Sequence, residues 1–321
     1  MKAVIIAGGL GTRLRPLTHT MPKALLPLCG KPLISHIVDA MPSWVDTVLI
    51  AVNYRKDALE SYFKELTLPR KIILIEESTP LGTGGAIKNV SDHLDDTFIA
   101  LNGDVLSSID MESMVRFHRS SGGMGTISLW EVPDPSAFGV VALESDNRIR
   151  SFQEKPAKGD ELSNLINAGV YVFEPDILDN IEEGAVSLER QVFPRVLDRG
   201  IYGYKFEGYW VDCGTRESFL RAQRILMDMG RQTTSANSLI DSCTVASPNY
   251  LEGVIGRNCK IGPYVSAQDG VILGEGCVVS DSILMEGAVV GPNSTVKGSI
   301  VGPRFEIGSG EKIIDSILAI G

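Results

Sequence analysis

From Ile255 onward the chain counts in sixes, and no other feature restricts its fold as tightly. Ile255, Ile261, Ala267, Leu273, Val279 and Met285 recur at six-residue intervals. Four residues after each stands a second small or apolar residue: Cys259, Val265, Val271, Cys277, Ile283 and Val289. The register slips by one at Val290, runs to Val296, slips again at Val301 and continues through Ile307 and Ile313. Gly256, Gly262, Gly274, Gly291, Gly302 and Gly308 each come directly after an apolar position and supply turns. This is the hexapeptide signature of a parallel β-helix, in which every repeat forms one flat wall. At about 18 residues per coil, residues 255–318 make about three and a half coils.

Upstream the pattern is different. Ala3–Ala7, Thr47–Val52, Lys71–Ile75 and Thr97–Leu101 read as buried strands, separated by helical stretches near 31–41, 56–66, 84–94 and 110–120. Strand and helix in alternation predict an α/β domain whose mostly parallel sheet carries helices on both faces, a Rossmann-like arrangement. Ligands of such sheets bind at the carboxyl ends of the strands. Residues 124–212 turn mixed, with strands expected at Thr126–Val132, Val140–Leu143, Arg148–Gln153, Ile166–Phe173 and Tyr202–Phe206. Thr215–Met229 reads as a closing helix, with Thr215 as N-cap and Gly230 beyond its end. The polar run 231–238 reads as a linker. The organisation expected is a first domain over 1–230, a linker and entry over 231–250, and a β-helix over 251–321.

Charge narrows the function. The 321 residues carry a formal net charge of −10, which argues against nucleic-acid and anionic-membrane partners. Yet the first 38 residues hold Lys2, Arg13, Arg15, Lys23 and Lys31 and no acidic residue. The absence of a long apolar stretch or a cleavage-site pattern points to a cytoplasmic protein. Five cysteines, odd in number and without a Cys-x-x-Cys pair, suggest neither a disulfide framework nor a zinc site and read mostly as small core residues.

The acid-free segment contains Ala7-Gly8-Gly9-Leu10-Gly11-Thr12-Arg13 directly after the first strand. Glycines let backbone N–H groups approach phosphate oxygens, and Arg13 and Lys23 supply compensating charge. The loop is neither a Walker sequence nor a Gly-x-Gly-x-x-Gly fingerprint.

Joined to the blocks downstream of it, the loop becomes specific. Gly8–Thr18 and Pro22-Lys23-Ala24-Leu25-Leu26-Pro27 resemble the signature of sugar-1-phosphate nucleotidylyltransferases. Leu81–Ile87, Asn102-Gly103-Asp104, Glu154-Lys155-Pro156, Asn167–Tyr171 and Trp210–Thr215 come in the family's order, and many members carry a hexapeptide tail of the left-handed β-helix type. The resemblance implies that a nucleoside triphosphate and a sugar 1-phosphate give a nucleotide-sugar and pyrophosphate. Ala7, Gly8, Gly9, Gly11, Thr12, Gly82 and Gly85 would bind the nucleotide. Arg13 would stabilise the leaving pyrophosphate and Lys23 the phosphates at the reacting centre. Asp104 and Asp212 would hold Mg²⁺, hard carboxylates suiting a hard cation. Gly139, Glu154, Lys155, Asn167 and Gly169 would receive the sugar phosphate. Read singly, Asp104 could cap a turn and Lys155 could be a surface lysine. His19, His36, His93 and His118 match no motif and read as structural or surface residues.

Glu77 bears on the base. Thymidylyl and uridylyl members tend to have Gln at the aligned position, whereas a carboxylate only accepts hydrogen bonds. Guanine offers two adjacent donors, so Glu77 suits guanine unless it is a solvated surface residue. The expectation is therefore similarity to mannose-1-phosphate guanylyltransferases, which use GTP and mannose 1-phosphate. Glucose-1-phosphate thymidylyl or uridylyl transfer is the alternative within the family. A non-catalytic regulatory binder and a hexapeptide acyltransferase are alternatives of other classes. Acyltransferases of that type usually use a histidine, and none occurs after His118. The tail thus reads as an oligomerisation or regulatory module, and a homo-oligomer through the β-helix is expected.

Overall fold

The computed structural model describes residues 1–230 and 242–320, so the run 231–238 expected as a linker lies outside the described residues. The chain divides into two units, Met1–Gly9 with Ile37–Trp210, and Leu10–His36 with Val211–Gly321.

The first unit is built on β1 (Lys2–Ile6), β2 (Thr47–Val52), β3 (Lys71–Glu76) and β4 (Phe98–Asn102), alternating along the chain with helices α1 (Leu33–Asp39), whose first four residues are counted in the second unit, α2 (Lys56–Lys64), α3 (Gly82–Asn89) and α4 (Met111–Ser121). β1 lies between β2 and β4, and β3 flanks β2, all parallel. β5 (Gly125–Glu131), β6 (Gly139–Leu143), β7 (Ile149–Glu154), β8 (Leu165–Phe173) and β9 (Ile201–Lys205) complete the sheet. The strand order is β7-β6-β8-β4-β1-β2-β3, with β5 pairing both β8 and β9. β8 runs antiparallel to β4, which makes the sheet mixed, as its composite sequence pattern predicts. Tyr171, Phe98, Phe173 and Phe193 are fully buried beneath it, Tyr171 and Phe173 stacking with ring centroids 5.4 Å apart.

Parallel register brings the loops together. The N–H of Ala7 donates to Ala51 O at 2.9 Å, that of Glu77 to Val52 O at 2.7 Å, and that of Gly103 to Ile6 O at 2.8 Å. The segments after β1, β3 and β4 therefore leave the sheet at one edge, the carboxyl end. α4 shows how local sequence fixes an element: Asp110 accepts from the N–H groups of Glu112 and Ser113, and Gly122 at φ 66° ends the helix.

In the second unit α5 (Arg216–Asp228) starts as expected at Thr215, whose side chain accepts from Ser218 N while Ser218 Oγ accepts from Thr215 N. Thr244–Leu318 form three parallel sheets of five, five and four strands among the described residues, stacked as in the left-handed β-helix. Among the described residues the first β-helix strand starts at Thr244, ahead of the repeat that Ile255 opens. Coils are uneven: Thr244 pairs Lys260, Lys260 pairs Val278 and Val278 pairs Thr295, spacings of 16, 18 and 17 residues.

The first register slip also comes earlier than the repeat suggests. Leu284, Ala288 and Val290 join the coil interior, whereas Ile283 and Val289 stay outside it. The corner before Ser282 is one residue shorter, with Asp281 at φ 48° rounding it. Counting from the sequence places that change at Val290 because Ile283 is itself apolar. Cys259 and Cys277 line the interior and Cys29 and Cys213 are buried elsewhere, all free thiols.

Candidate active site

The residues expected at the site fall into two sets, one in each unit. In the first unit the glycine loop meets Glu77. That side chain is only 4% exposed. Its Oε2 accepts from Leu81 N at 3.2 Å, while Oε1 has no hydrogen-bond partner among the described residues. A Cβ on Gly8 would lie 2.7 Å from Oε2, so any larger residue there would displace this carboxylate. Burial pushes the Glu77 carboxyl above the usual carboxylate range. At Gly9 a Cβ would meet nothing within 4 Å, so packing inside the protein does not call for glycine there.

Gly82 and Gly85 shape the next loop. Gly82 has φ 70°, and Gly85 could take a Cβ only at 2.2 Å from Gly184 O. The N–H groups of Gly84 and Gly85 both donate to Val186 O, at 2.8 and 3.1 Å. Gly103 is pinned likewise, since its Cβ would stand 2.8 Å from Ile6 O, and the next residue, Asp104, is half-buried.

The sugar-side set gathers around β8. Its pairing with β5 is interrupted between Asn167 and Tyr171, where Gly169 takes φ 76°. Asn167 Oδ1 accepts from Gly169 N at 3.0 Å, and Asn167 Nδ2 donates to the Tyr171 hydroxyl at 2.8 Å. A Cβ on Gly169 would meet Asn102 Nδ2 at 2.6 Å. A Cβ on Gly139 would meet Phe152 Cζ at 2.6 Å and Glu154 Oε2 at 3.2 Å. Lys155, at φ 51° and mostly exposed, turns its ammonium to within 3.8 Å of Glu154 Oε1. Burial, then the Glu189 carboxylate, raises the Glu154 carboxyl above its usual range.

Glu189 is the residue that sequence reading missed. Its carboxylate accepts from Thr83 Oγ1 and Ser187 Oγ, both at 2.7 Å, and from the Tyr171 hydroxyl at 3.4 Å. It thereby ties the Gly82–Gly85 turn to Asn167. Ser187-Leu188-Glu189 carries no local signal beyond a helix start. His118, which matches no motif, is fully buried between Thr126 Oγ1 at 2.9 Å and Glu174 Oε1 at 3.0 Å and bonds to none of these loops.

In the second unit Gly11 takes φ 59° and opens a short helical turn, Thr12–Leu14. Its carbonyl accepts from Thr18 Oγ1 at 2.9 Å, and a Cβ on it would lie 3.2 Å from Lys23 Cβ. Gly11, Thr18 and the buried Lys23 form one tight knot. Arg13 is 62% exposed and reaches Asp212 Oδ2 at 3.8 Å. A Cβ on Gly214 would sit 2.3 Å from Arg13 Nη2 and 2.7 Å from Asp212 Oδ1, so Gly214 makes room for this pair. Asp212 is half-buried, as is Asp104 in the first unit, and each carboxylate is a hard oxygen donor of the kind that suits a divalent cation. No group of three or more metal-ligating side chains gathers among the described residues.

Comparison with known proteins gives this chemistry a family. The nucleotidyl transferase family profile matches residues 2–228, and a profile described as the GMPPB C-terminal domain matches residues 239–320. Mannose-1-phosphate guanylyltransferase 1 of Arabidopsis thaliana is 37% identical over 290 residues, covering 87% of this chain and 80% of that one. The mannose-1-phosphate guanylyltransferase of Mycobacterium tuberculosis is 38% identical over 297 residues, covering 86% and 82%. Among solved structures, HddC from Yersinia pseudotuberculosis complexed with GMP-PN superposes with a TM-score of 0.59 at 28% identity, covering 70% of this chain and 98% of that one. A UDP-glucose pyrophosphorylase complexed with UDP-glucose, 24% identical with a TM-score of 0.63, shares the fold. Matched over most of its length by the nucleotidyl transferase profile and by these relatives, the chain belongs to the sugar-1-phosphate nucleotidylyltransferase family.

Proposed function

We propose that this enzyme transfers a guanylyl group from GTP to mannose 1-phosphate, giving GDP-mannose and pyrophosphate. The observation that carries the choice of base is Glu77, a buried carboxylate against Gly8 with one oxygen left unbonded among the described residues. A buried acceptor without a donor is costly, and guanine's N1–H and N2–H₂ supply two donors side by side. Gly9, needed neither by packing nor by its backbone angle, suits the close approach of a nucleotide. The relatives named above as mannose-1-phosphate guanylyltransferases support the same base and sugar.

A sugar-phosphate oxygen attacks the α-phosphorus, a P–O bond forms to it, and the bond to the pyrophosphate oxygen breaks. No protein nucleophile is needed, so positioning and charge neutralisation make the rate. In this reading Ala7, Gly8, Gly9, Gly11 and Thr12 lead the backbone past the nucleotide, with Gly82 and Gly85 shaping the loop beside it. Arg13 neutralises the departing pyrophosphate and Lys23 the phosphates at the reacting centre. Lys155 takes the sugar phosphate, while Gly139, Glu154, Asn167 and Gly169 line the sugar. Asp104 and Asp212 are the carboxylates for Mg²⁺, which when bound supplies charge to the phosphate oxygens. The reading also keeps a functional division at 1–230, 231–250 and 251–321, a cytoplasmic location, and self-association through the β-helix. No described helix is long and apolar enough to cross a membrane.

The test is pyrophosphate release from GTP, dTTP, UTP, CTP and ATP, each paired with mannose, glucose and N-acetylglucosamine 1-phosphates. GTP with mannose 1-phosphate is expected to be fastest. Preference for a pyrimidine triphosphate would remove the role given to Glu77.

A further inference from the structure

The second unit contains a wall that should face water and does not. In the sheet containing Asn249–Leu251, Val265–Ala267, Ser282–Leu284 and Ile300–Val301, Leu251, Ala267, Leu284 and Val301 point into the coil. Side chains alternate along a strand, so Tyr250, Ser266, Ile283 and Ile300 point outward. Ser266, Ile283 and Ile300 are nonetheless 0% exposed.

Two segments cover them. α5 lies on the wall through Gln223, whose Nε2 donates to Tyr264 O at 3.1 Å, and through Arg224, whose Nε donates to Asp281 Oδ1 at 2.6 Å. The other cover is the signature segment itself. The Tyr250 ring lies against Gly30, where a Cβ would come within 2.2 Å of it. At the opposite end of the wall a Cβ on Gly302 would meet Leu17 Cδ2 at 2.9 Å and Ala319 Cβ at 2.8 Å. Leu17 is buried and adjoins Thr18, the residue whose hydroxyl holds the Gly11 carbonyl and whose methyl would lie 2.9 Å from a Cβ on Gly11. A continuous line of close contacts thus runs from the last coil, through Leu17 and Thr18, to the knot of Gly11 and Lys23.

We propose that the last coil of the β-helix sets the position of the phosphate-binding loop, with Gly302 and Leu17 as the positioning pair. This rests on the reading that Gly11, Thr12, Arg13 and Lys23 receive the triphosphate. Close-packed contacts transmit displacement because the interior has little free volume to absorb it. A loop misplaced by a fraction of an ångström loses binding and rate steeply. Glycine at 302 then serves the active site as well as the packing of its own coil against Ala319 and Leu318, although 285 residues separate it from Leu17 along the chain. The β-helix becomes a part of the catalytic apparatus as well as a surface for association.

The experiment uses the full chain and three variants, Gly302→Ala, Leu17→Val and the double variant, with Val279→Ala in the coil interior as a control. GTP affinity is measured by calorimetry, KM for each substrate by pyrophosphate release, and stability by thermal unfolding. Gly302→Ala is expected to weaken GTP binding about five- to tenfold, leaving KM for the sugar phosphate unchanged. Leu17→Val lacks the Cδ2 atom that Gly302 faces, whereas the contacts with Ala319 Cβ and Leu318 O lie within the β-helix and remain, so the double variant should recover GTP affinity to within twofold of Leu17→Val while keeping any loss of unfolding temperature. Val279→Ala should lower the unfolding temperature and leave GTP affinity alone. Unchanged GTP affinity in Gly302→Ala overturns the proposal, as does a loss that Leu17→Val fails to repair. An unmodified protein that binds GTP but releases no pyrophosphate would instead refute the proposed function, with the binding comparison still deciding this one.

Discussion

Replacing Glu77 by Gln changes one atom's chemistry at nearly constant volume, which makes it the sharpest probe of base choice. The carboxylate is buried against Gly8, with Oε2 accepting from Leu81 N and Oε1 without a partner among the described residues. Hydrogen bonds to a charged group contribute about 1.5–3 kcal/mol each, roughly twice a neutral one. Gln keeps one acceptor oxygen but presents an NH₂ where guanine also presents donors, so one bond weakens and the other is lost. A combined deficit of about 3 kcal/mol corresponds to a drop in kcat/KM for GTP of about 10²-fold, at 1.36 kcal/mol per tenfold. The same amide can both donate and accept, so kcat/KM for UTP and dTTP should rise. Initial rates of pyrophosphate release across the five triphosphates, with thermal unfolding as a check on folding, measure both. An E77Q enzyme that keeps its wild-type preference for GTP would refute the reasoning, because the carboxylate would then not read the base.

Three further outcomes rest on the geometry. Arg13→Ala, at a side chain 62% exposed, should lower kcat by about 10²–10³ with little change in unfolding temperature, as loss of a group that stabilises developing charge does; an equal loss of stability and activity would contradict it. Gly214→Ala places a Cβ within 2.3 Å of the Arg13 guanidinium and should reduce activity toward the Arg13→Ala level, read from the same rates. His118 is held below the usual imidazole range chiefly by burial, against the opposing pull of Glu174, with Arg119 adding to the depression and Thr126 bonded to the other ring nitrogen. The unfolded chain therefore takes up this proton near pH 6.5 and the folded one only at lower pH, so stability is lost as pH falls through that window, about 1.4 kcal/mol for each unit of separation. Urea unfolding at pH 7 and pH 5 should show this loss, reduced in His118→Gln.

Much of the fold was legible because it is written in local periods. Alternating apolar runs gave β1 to β4 within a residue or two, and Thr215 and Gly230 bounded α5 as capping chemistry requires. The hexapeptide period announced the β-helix and its one-residue slips, but placed the first slip late, because an outward-facing Ile283 is as apolar as an inward-facing Leu284. Motifs located Arg13, Lys23, Asp104 and Asp212 as residues of interest. They could not find Glu189, whose importance lies in the hydroxyls of Thr83 and Tyr171 that reach it from distant positions.

What the sequence by itself determined is therefore the order of elements, the repeat, and which segment carries positive charge without acid. Those are properties of neighbours along the chain, fixed by periodicity and turn chemistry. Only the tertiary structure decided that Glu77 is buried against Gly8, and that a β-helix wall is roofed by α5 and the segment carrying Leu17. Desolvation and packing depend on what lies across space, and a linear pattern does not encode which apolar face covers which.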